Sequence, residues 1–300
     1  MQVRVLGSAA GGGVPQWNCR CPVCALAHAG DPRVKARTQS GLAVSADGKS
    51  WVLLNASPDL RQQILATSEL LPKGAPRHSP IATVVLTNSE IDHVAGLLTL
   101  REGHDFALWA RADTHAVLTT NPMFGALAAK HVARETLALD TPHSIAGLCL
   151  TPFAVPGKVP LYLEQSDEAE EAQIIGLDIA HLDLTHGDRR LVYLPNCARM
   201  TPELRARIEG ADLLMFDGTT FTDDEMIAHG LSAKTAGRMG HMAMSGPEGS
   251  VEALAGLNIG LRVFTHINNS NPALIEGSPE HRHITAAGWM LAEDGMEFAL

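Results

Sequence analysis

The reading of the chain turns on Ile81-Ala82-Thr83-Val84-Val85-Leu86-Thr87-Asn88-Ser89-Glu90-Ile91-Asp92-His93-Val94-Ala95-Gly96. Residues 81–86 form an apolar run rich in Val and Ile, the composition of a strand buried on both faces. Polar and ionisable residues follow at once, and a helix is predicted over 92–101. A polar cluster at the C-terminal end of a strand, just before a helix, sits where α/β sheets place ligands. Taken alone, Asp92 and His93 read equally well as a helix cap and a hydrogen-bonded core histidine. Two further strands end in the same way, however. The run 213–216 delivers Asp217, and 263–265 delivers His266. Unpaired polar groups are costly to bury, so three such strand ends are hard to explain by packing. Together they supply two imidazoles and two carboxylates, a ligand set for a divalent transition metal.

Outward from this segment, short strands alternate with helices. A strand over 2–6 enters the glycine loop 7–13, and 41–45 with 51–54 reads as a hairpin around Asp47-Gly48. A helix is predicted from Ser57-Pro58 to about Ser68, with Pro58 at its first position. Residues 106–110 and 111–118 repeat the strand-then-helix order. Further strands are expected over 149–155, 174–183, 190–193 and 212–216, and helices over 202–209 and 249–255. The last buried strand is 261–265. This mixture with no clear linker predicts one layered α/β domain over residues 1–300. The halves are alike in element order, although no repeated motif proves duplication.

Composition narrows the function classes. The 300 residues carry 23 Lys+Arg against 33 Asp+Glu, a formal net charge of −10. That balance disfavours a broad phosphate-binding surface, so no nucleic-acid partner is expected. No apolar stretch reaches the roughly 18 residues of a membrane span. The N-terminus lacks a secretory pattern, and a cytoplasmic protein is expected. The acidic patch 167–171 reads as a solvated loop. The glycines at 7 and 11–13 do not spell a dinucleotide fingerprint, so a tight structural loop is the simpler reading. His281-Arg282-His283 reads as a solvated turn.

Cys19, Cys21 and Cys24 fall within six residues, whereas Cys149 and Cys197 stand alone and read as small hydrophobes. The cluster could be three buried thiols in a core. Arg20 and Pro22 instead mark a turn, on which three thiolates can converge on one tetrahedral ion. Zinc is expected ahead of an iron–sulfur cluster, since no fourth cysteine is near. Three ligands without a general base point to a structural site, and its fourth ligand must come from elsewhere in the chain.

Over nearly its whole length the sequence resembles the metallo-β-lactamase superfamily. That family's His-x-His-x-Asp-His motif appears here as Asn88-Ser89-Glu90-Ile91-Asp92-His93. Pro156-Gly157 precedes Lys158 where the family has another histidine, Asp217 matches the bridging aspartate, and His266 matches the final histidine. All three lost positions belong to one of the family's two metal sites. Asp92, His93, Asp217 and His266 belong to the other. The resemblance implies a four-layer αββα sandwich, and it places an active-site histidine at His241. The cysteine knuckle is similar to that of a cyclic phosphodiesterase branch, whose closing ligand corresponds to Asn269. Trp17-Asn18-Cys19-Arg20-Cys21-Pro22, the altered metal motif and Asp217-Gly218-Thr219 together resemble a branch that acts in biosynthesis of the redox cofactor pyrroloquinoline quinone (PQQ).

That resemblance implies a small Glu–Tyr-derived or quinone precursor as partner, with other proteins of PQQ biosynthesis nearby. One ion held by imidazoles and carboxylates with open positions resembles the oxygen-activating iron(II) pattern. Iron(II)- and dioxygen-dependent hydroxylation of the precursor's tyrosine ring is therefore the leading expectation. Lys158 would bind a substrate carboxylate, and Glu90 or His241 would relay protons. A carrier for the quinone or its precursor is the alternative from a different class, and a single-metal hydrolase is the third.

Overall fold

The computed structural model describes residues 1–164, 171–182 and 188–300. Six strands follow one another in the N-terminal half: β1 (Gln2–Gly7), β2 (Gly41–Ser45), β3 (Trp51–Leu54), β4 (Ile81–Val85), β5 (Phe106–Ala110) and β6 (Val132–Thr136). The second half supplies β7 (His143–Ile145), β8 (Leu148–Lys158), β9 (Glu171–His181), β10 (Arg190–Leu194), β11 (Leu213–Asp217), β12 (Leu261–Thr265) and β13 (Trp289–Leu291). The last strand, β14 (Glu297–Ala299), returns to pair with β1.

Two seven-stranded mixed sheets result, ordered β14-β1-β2-β3-β4-β5-β6 and β13-β12-β11-β10-β9-β8-β7. In each, antiparallel pairing gives way to parallel pairing, at β3–β4 in one and at β10–β11 in the other. The alternation of side chains along a strand decides how the sheets stack. Val52 and Leu54, like Leu191, Tyr193, Leu213, Met215 and Val263, enter one core between the sheets. Their neighbours Trp51 and Leu53 pack outward against Leu60 and Leu97. Val192, Leu214, Phe216 and Phe264 face the opposite way, against Leu204, Leu254 and Ile284 from helices and their flanks. Three apolar cores require four layers, the αββα sandwich. Strands buried on both faces also explain why these runs are apolar throughout rather than alternating.

Several elements differ from expectation for local reasons. The helix expected from Ser57-Pro58 begins only at Leu60 and ends at Ala66, so Pro58 precedes its cap residue Asp59. The helix expected over 92–101 is one α-turn, Ile91–Val94, followed by the 3₁₀ run Ala95–Arg101. At its centre the Gly96 amide donates to Ala56 O (2.9 Å), and the His93 carbonyl accepts from Ala56 N (2.7 Å). Contacts with the chain after β3 thus replace the i→i−4 ladder. A Cβ on Gly96 would lie 2.0 Å from Ser57 O, so that approach requires glycine. The helix expected over 249–255 contracts to Ser250–Ala253, because after the Leu254 amide bonds to Ser250 O the Ala255 amide turns to Glu252 O and ends the i→i−4 ladder. His281-Arg282-His283 is no turn but part of the helix Pro279–Ala286, capped by Ser278. The short edge strands β6, β7, β13 and β14 escape sequence reading. Asp183 and most of the acidic patch (167–170) lie outside the described residues.

The glycine loop after β1 joins the two halves at one rim of the sandwich. Ala9 forms bridges with both Gln39 and Ile267. This seats the loop beside the ends of β4, β11 and β12. Among the described residues no helix is long and apolar enough to cross a membrane.

Candidate metal centres and their pocket

Asn55, in the left-handed conformation (φ 66°), accepts from the Thr87 amide at 2.9 Å and donates to Thr87 Oγ1 at 3.0 Å. Asparagine tolerates that conformation better than most residues. The turn after β4 is thereby held, and Asn88 follows. The Asn88 amide orientation is set because its Oδ1 accepts from Glu90 N (3.0 Å) while its Nδ2 donates to Asn196 Oδ1 (2.9 Å). Asn88 Oδ1 also lies 2.7 Å from His93 Nδ1. An amide oxygen only accepts, so Nδ1 carries the proton and the lone pair is on Nε2. His93 Nε2 is buried and has no hydrogen-bond partner.

β11 ends on fully buried Asp217, whose Oδ1 accepts from the Thr219 amide (3.0 Å) and hydroxyl (2.7 Å). Its Oδ2 accepts from Cys197 N at 2.9 Å and lies 2.7 Å from His241 Nδ1. Just beyond β12, His266 adopts φ 55°, sparsely populated for a histidine. Its Nε2 lies 3.1 Å from Asp92 Oδ2 and its Nδ1 lies 3.0 Å from Thr219 Oγ1. The His241 and His266 rings stack with centroids 5.3 Å apart.

These residues fall into two groups that share His266. One is Asp92, His93 and His266; the other is Asp217, His241 and His266. Ligand atoms within each group lie within 4.8 Å of one another. Asp92, His93, Asp217 and His266 are therefore brought together, and His241, expected as a proton relay, lies beside Asp217 in ligand position as well.

Electrostatics suit a cation. Burial pushes the His93 imidazole down to about 4, against the pull of Asp92, so the ring is neutral. Burial alone would raise Asp92, but His93 and His266 hold it well below the usual carboxylate range. Burial would lower His266, yet its hydrogen bond to Asp92 and the nearby carboxylates raise it. Burial, and then the charge of Asp92, raises Glu90 against the opposing charge of Lys158. Buried carboxylates beside an unpartnered imidazole nitrogen form a donor set that fits a divalent metal.

Asp92, His241 and His266 line a cavity of about 530 Å³ together with Gly11, Glu90 and Lys158 among others, while His93 and Asp217 are fully buried. A Cβ at Gly11 would stand 3.5 Å from Asp92 Oδ2, so the glycine loop forms a wall against the carboxylate. Lys158 is largely buried; its Nζ lies 3.0 Å from Glu164 Oε1 and 4.0 Å from Glu90 Oε1. Its stem runs beneath Gly240, where a Cβ would meet Lys158 Cγ at 2.9 Å and φ is 85°. Gly240→Ala should therefore cost more than the backbone term of about 1–2 kcal/mol. Gly30→Ala is the control, because Gly30 has φ 70° and nothing within 4 Å of its Cβ position. Equal losses in chemical unfolding of the two variants would rule out the contact with Lys158.

The cysteine cluster is a separate centre. Asn269 Nδ2 lies 3.2, 3.7 and 3.3 Å from the sulfurs of Cys19, Cys21 and Cys24. Cys21 caps the helix Pro22–His28, its sulfur accepting from Cys24 N at 3.4 Å. Burial pushes the Cys21 thiol up to about 12, whereas hydrogen bonds from Cys21 and Asn269 outweigh burial and lower Cys19. Three clustered sulfurs that resist joint ionisation when empty fit a cation that would neutralise them. Cys197 is a buried core residue, as expected of a lone thiol, and Cys149 is partly buried.

Thr219, Asn196, Glu164 and Lys234 carried no readable signal of their own. Thr219 belongs to the quoted Asp217-Gly218-Thr219 segment, yet its contacts with two histidines 22 and 47 residues away depend on the fold.

A family profile described as Beta-lactamase superfamily domain matches residues 50–267. The sequence is 53% identical, over all of both chains, to Coenzyme PQQ synthesis protein B of Methylorubrum extorquens (strain PA1). The 1.98 Å crystal structure of Zn²⁺-bound PqqB from Methylobacterium extorquens superposes over both full chains with a TM-score of 0.96 and 53% identity. A diphosphatase of the PhnP family, 22% identical, shares the fold over all of this chain and 97% of its own, with a TM-score of 0.71. The fold and the site define a member of the beta-lactamase superfamily. Within it, the chain belongs to the coenzyme PQQ synthesis protein B family.

Proposed function

We propose that the chain acts in PQQ biosynthesis as an iron(II)- and dioxygen-dependent hydroxylase of the tyrosine ring of a Glu–Tyr-derived precursor, in the cytoplasm beside other proteins of that pathway. The observation that carries this reading is His93 Nε2, buried without a partner and grouped with Asp92 and His266, both of which line the cavity. Asp92, His93, Asp217 and His266 would hold the iron, with His241 completing the Asp217 side. Iron(II) at such a site supplies the one-electron chemistry that lets dioxygen react with an aromatic ring. Asn88 keeps the His93 lone pair on Nε2 by accepting from Nδ1. Lys158 donates to a substrate carboxylate, and Glu90, 4.0 Å from Lys158, holds or releases a proton within the cavity. His241, which faces both the cavity and Asp217, is the other candidate for moving a proton. Zinc at Cys19, Cys21 and Cys24, with Asn269 as the fourth contact, has a structural role; the three-thiolate donor set favours zinc there, and the relative's crystal structure is of a Zn²⁺-bound protein.

Hydroxylation takes one atom of dioxygen into the ring and the other into water, so a co-reductant must supply two electrons. The test is incubation of iron-loaded protein with a Glu–Tyr dipeptide and ascorbate, in air and without it. Incorporation of one oxygen atom into the dipeptide in air alone is the expected result. Stoichiometric binding of unchanged dipeptide would replace the hydroxylase by a carrier, and cleavage independent of oxygen would replace it by a hydrolase.

A further inference from the structure

We propose that Lys234, together with Lys158, forms a carboxylate-binding wall of the cavity that orients a substrate bearing at least two carboxylates. The inference rests on the reading of this cavity as the substrate pocket. Its centre is Glu164, whose side chain is only 7% exposed. Glu164 Oε1 accepts from Lys158 Nζ at 3.0 Å and from Arg238 Nη1 at 3.3 Å, while Oε2 accepts from Lys234 Nζ at 3.3 Å. These hydrogen bonds, that of Lys158 first, hold the Glu164 carboxyl down to about 2.

Among the described residues Lys158 and Lys234, both facing the cavity, share the single carboxylate of Glu164. Glu90, 4.0 Å from Lys158 Nζ, stands beyond hydrogen-bond reach and takes none of the lysine N–H donors. An ammonium has three N–H donors. Lys158 directs one to Glu164 and a longer one to Val159 O at 3.4 Å. Among the described residues Lys234 donates only to Glu164, and its side chain is 34% exposed. Donors therefore remain on the cavity side for ligand oxygens. Glu164 anchors the two stems, so less side-chain freedom is lost when an anion docks.

The opposite end of the cavity has different electrostatics. There Asp92 and Asp217 would balance a divalent ion. A molecule with carboxylates at one end and a neutral ring at the other is thus oriented with the carboxylates on the lysine wall and the ring towards the metal ligands. Charge complementarity of this kind selects orientation and partner more than it adds raw affinity.

The experiment is calorimetric titration of the metal-loaded protein, without oxygen, with the Glu–Tyr dipeptide and with its bis-amide. Wild type should prefer the diacid, and the preference should weaken as salt is raised. Lys234→Ala should lose roughly tenfold of that preference, the scale of a hydrogen bond to a charged group, while its affinity for the bis-amide is unchanged. Lys234→Arg should keep most of the preference. A Lys234→Ala protein with the wild-type diacid-to-amide ratio would overturn the wall while leaving the pocket reading intact. Wild type that binds neither compound would overturn both.

Discussion

Replacing Cys21 with serine should release about one equivalent of metal and leave the protein close to unfolding. The cluster ties the sulfurs of the 19–24 turn to Asn269, which lies three residues beyond His266. Cys24 and Val23 are buried with Ile267 and Leu274 in one outer core, so the knuckle is part of the packing between a helix layer and the second sheet. Metal binding to a structural thiolate site is folding free energy, on the order of 10 kcal/mol in small zinc domains. In a chain with its own large cores only part of that is at risk. A loss of about 4 kcal/mol or more is expected, at the upper end for single substitutions. Typical net stability is about 5–15 kcal/mol, so that loss is decisive. Metal analysis and thermal unfolding of Cys21→Ser beside wild type check it. The ion at Asp92, His93 and His266 should stay, because no sulfur reaches those ligands. Unchanged metal content and melting temperature in Cys19, Cys21 and Cys24 variants would falsify the assignment.

His93→Ala should empty the other centre and abolish turnover while the cysteine site keeps its metal. The substitution removes the buried imidazole nitrogen of this site that has no hydrogen-bond partner among the described residues. Asp92 would then retain His266, 3.1 Å away, as its remaining ligand neighbour. His266→Ala should be at least as damaging, because His266 belongs to both ligand groups. Asn88→Ala supplies a graded comparison. It leaves every ligand in place but frees His93 to change tautomer, and loss of such a supporting bond typically weakens metal affinity by about 10–100-fold. The expected order of metal loss is His266→Ala and His93→Ala, then Asn88→Ala, then wild type. Wild-type metal content and product formation in both histidine variants would show that these strand ends hold no ion.

The two predictions draw on different kinds of information. The cysteine knuckle is local: Cys19, Cys21 and Cys24 lie within one turn and a helix cap, so their spacing alone brings the sulfurs together. The strands that carry Asp92, Asp217 and His266 are legible for a similar reason. A strand buried on both faces must be apolar throughout, and a polar residue at its end stands out against that background. The edge strands β6, β7, β13 and β14 lack that contrast; β6 is mostly exposed, and β7 and β13 span three residues each.

What the sequence by itself determined was a layered α/β class, the buried strands with polar residues at their ends and the clustered cysteines, since each follows from periodicity or spacing within a few residues. The αββα sandwich, by contrast, was implied by the family resemblance. The tertiary structure alone decided how the ligands are shared. His241 sits 24 residues from Asp217 yet touches it, and His266 meets Asp92 across 174 residues. It also decided that Lys158 stands in a charge network with Glu164 and Lys234 rather than alone in the cavity. Such pairings have no local signature. They depend on which strands become neighbours and which loops meet at one rim, and burial of apolar faces across the whole chain sets both.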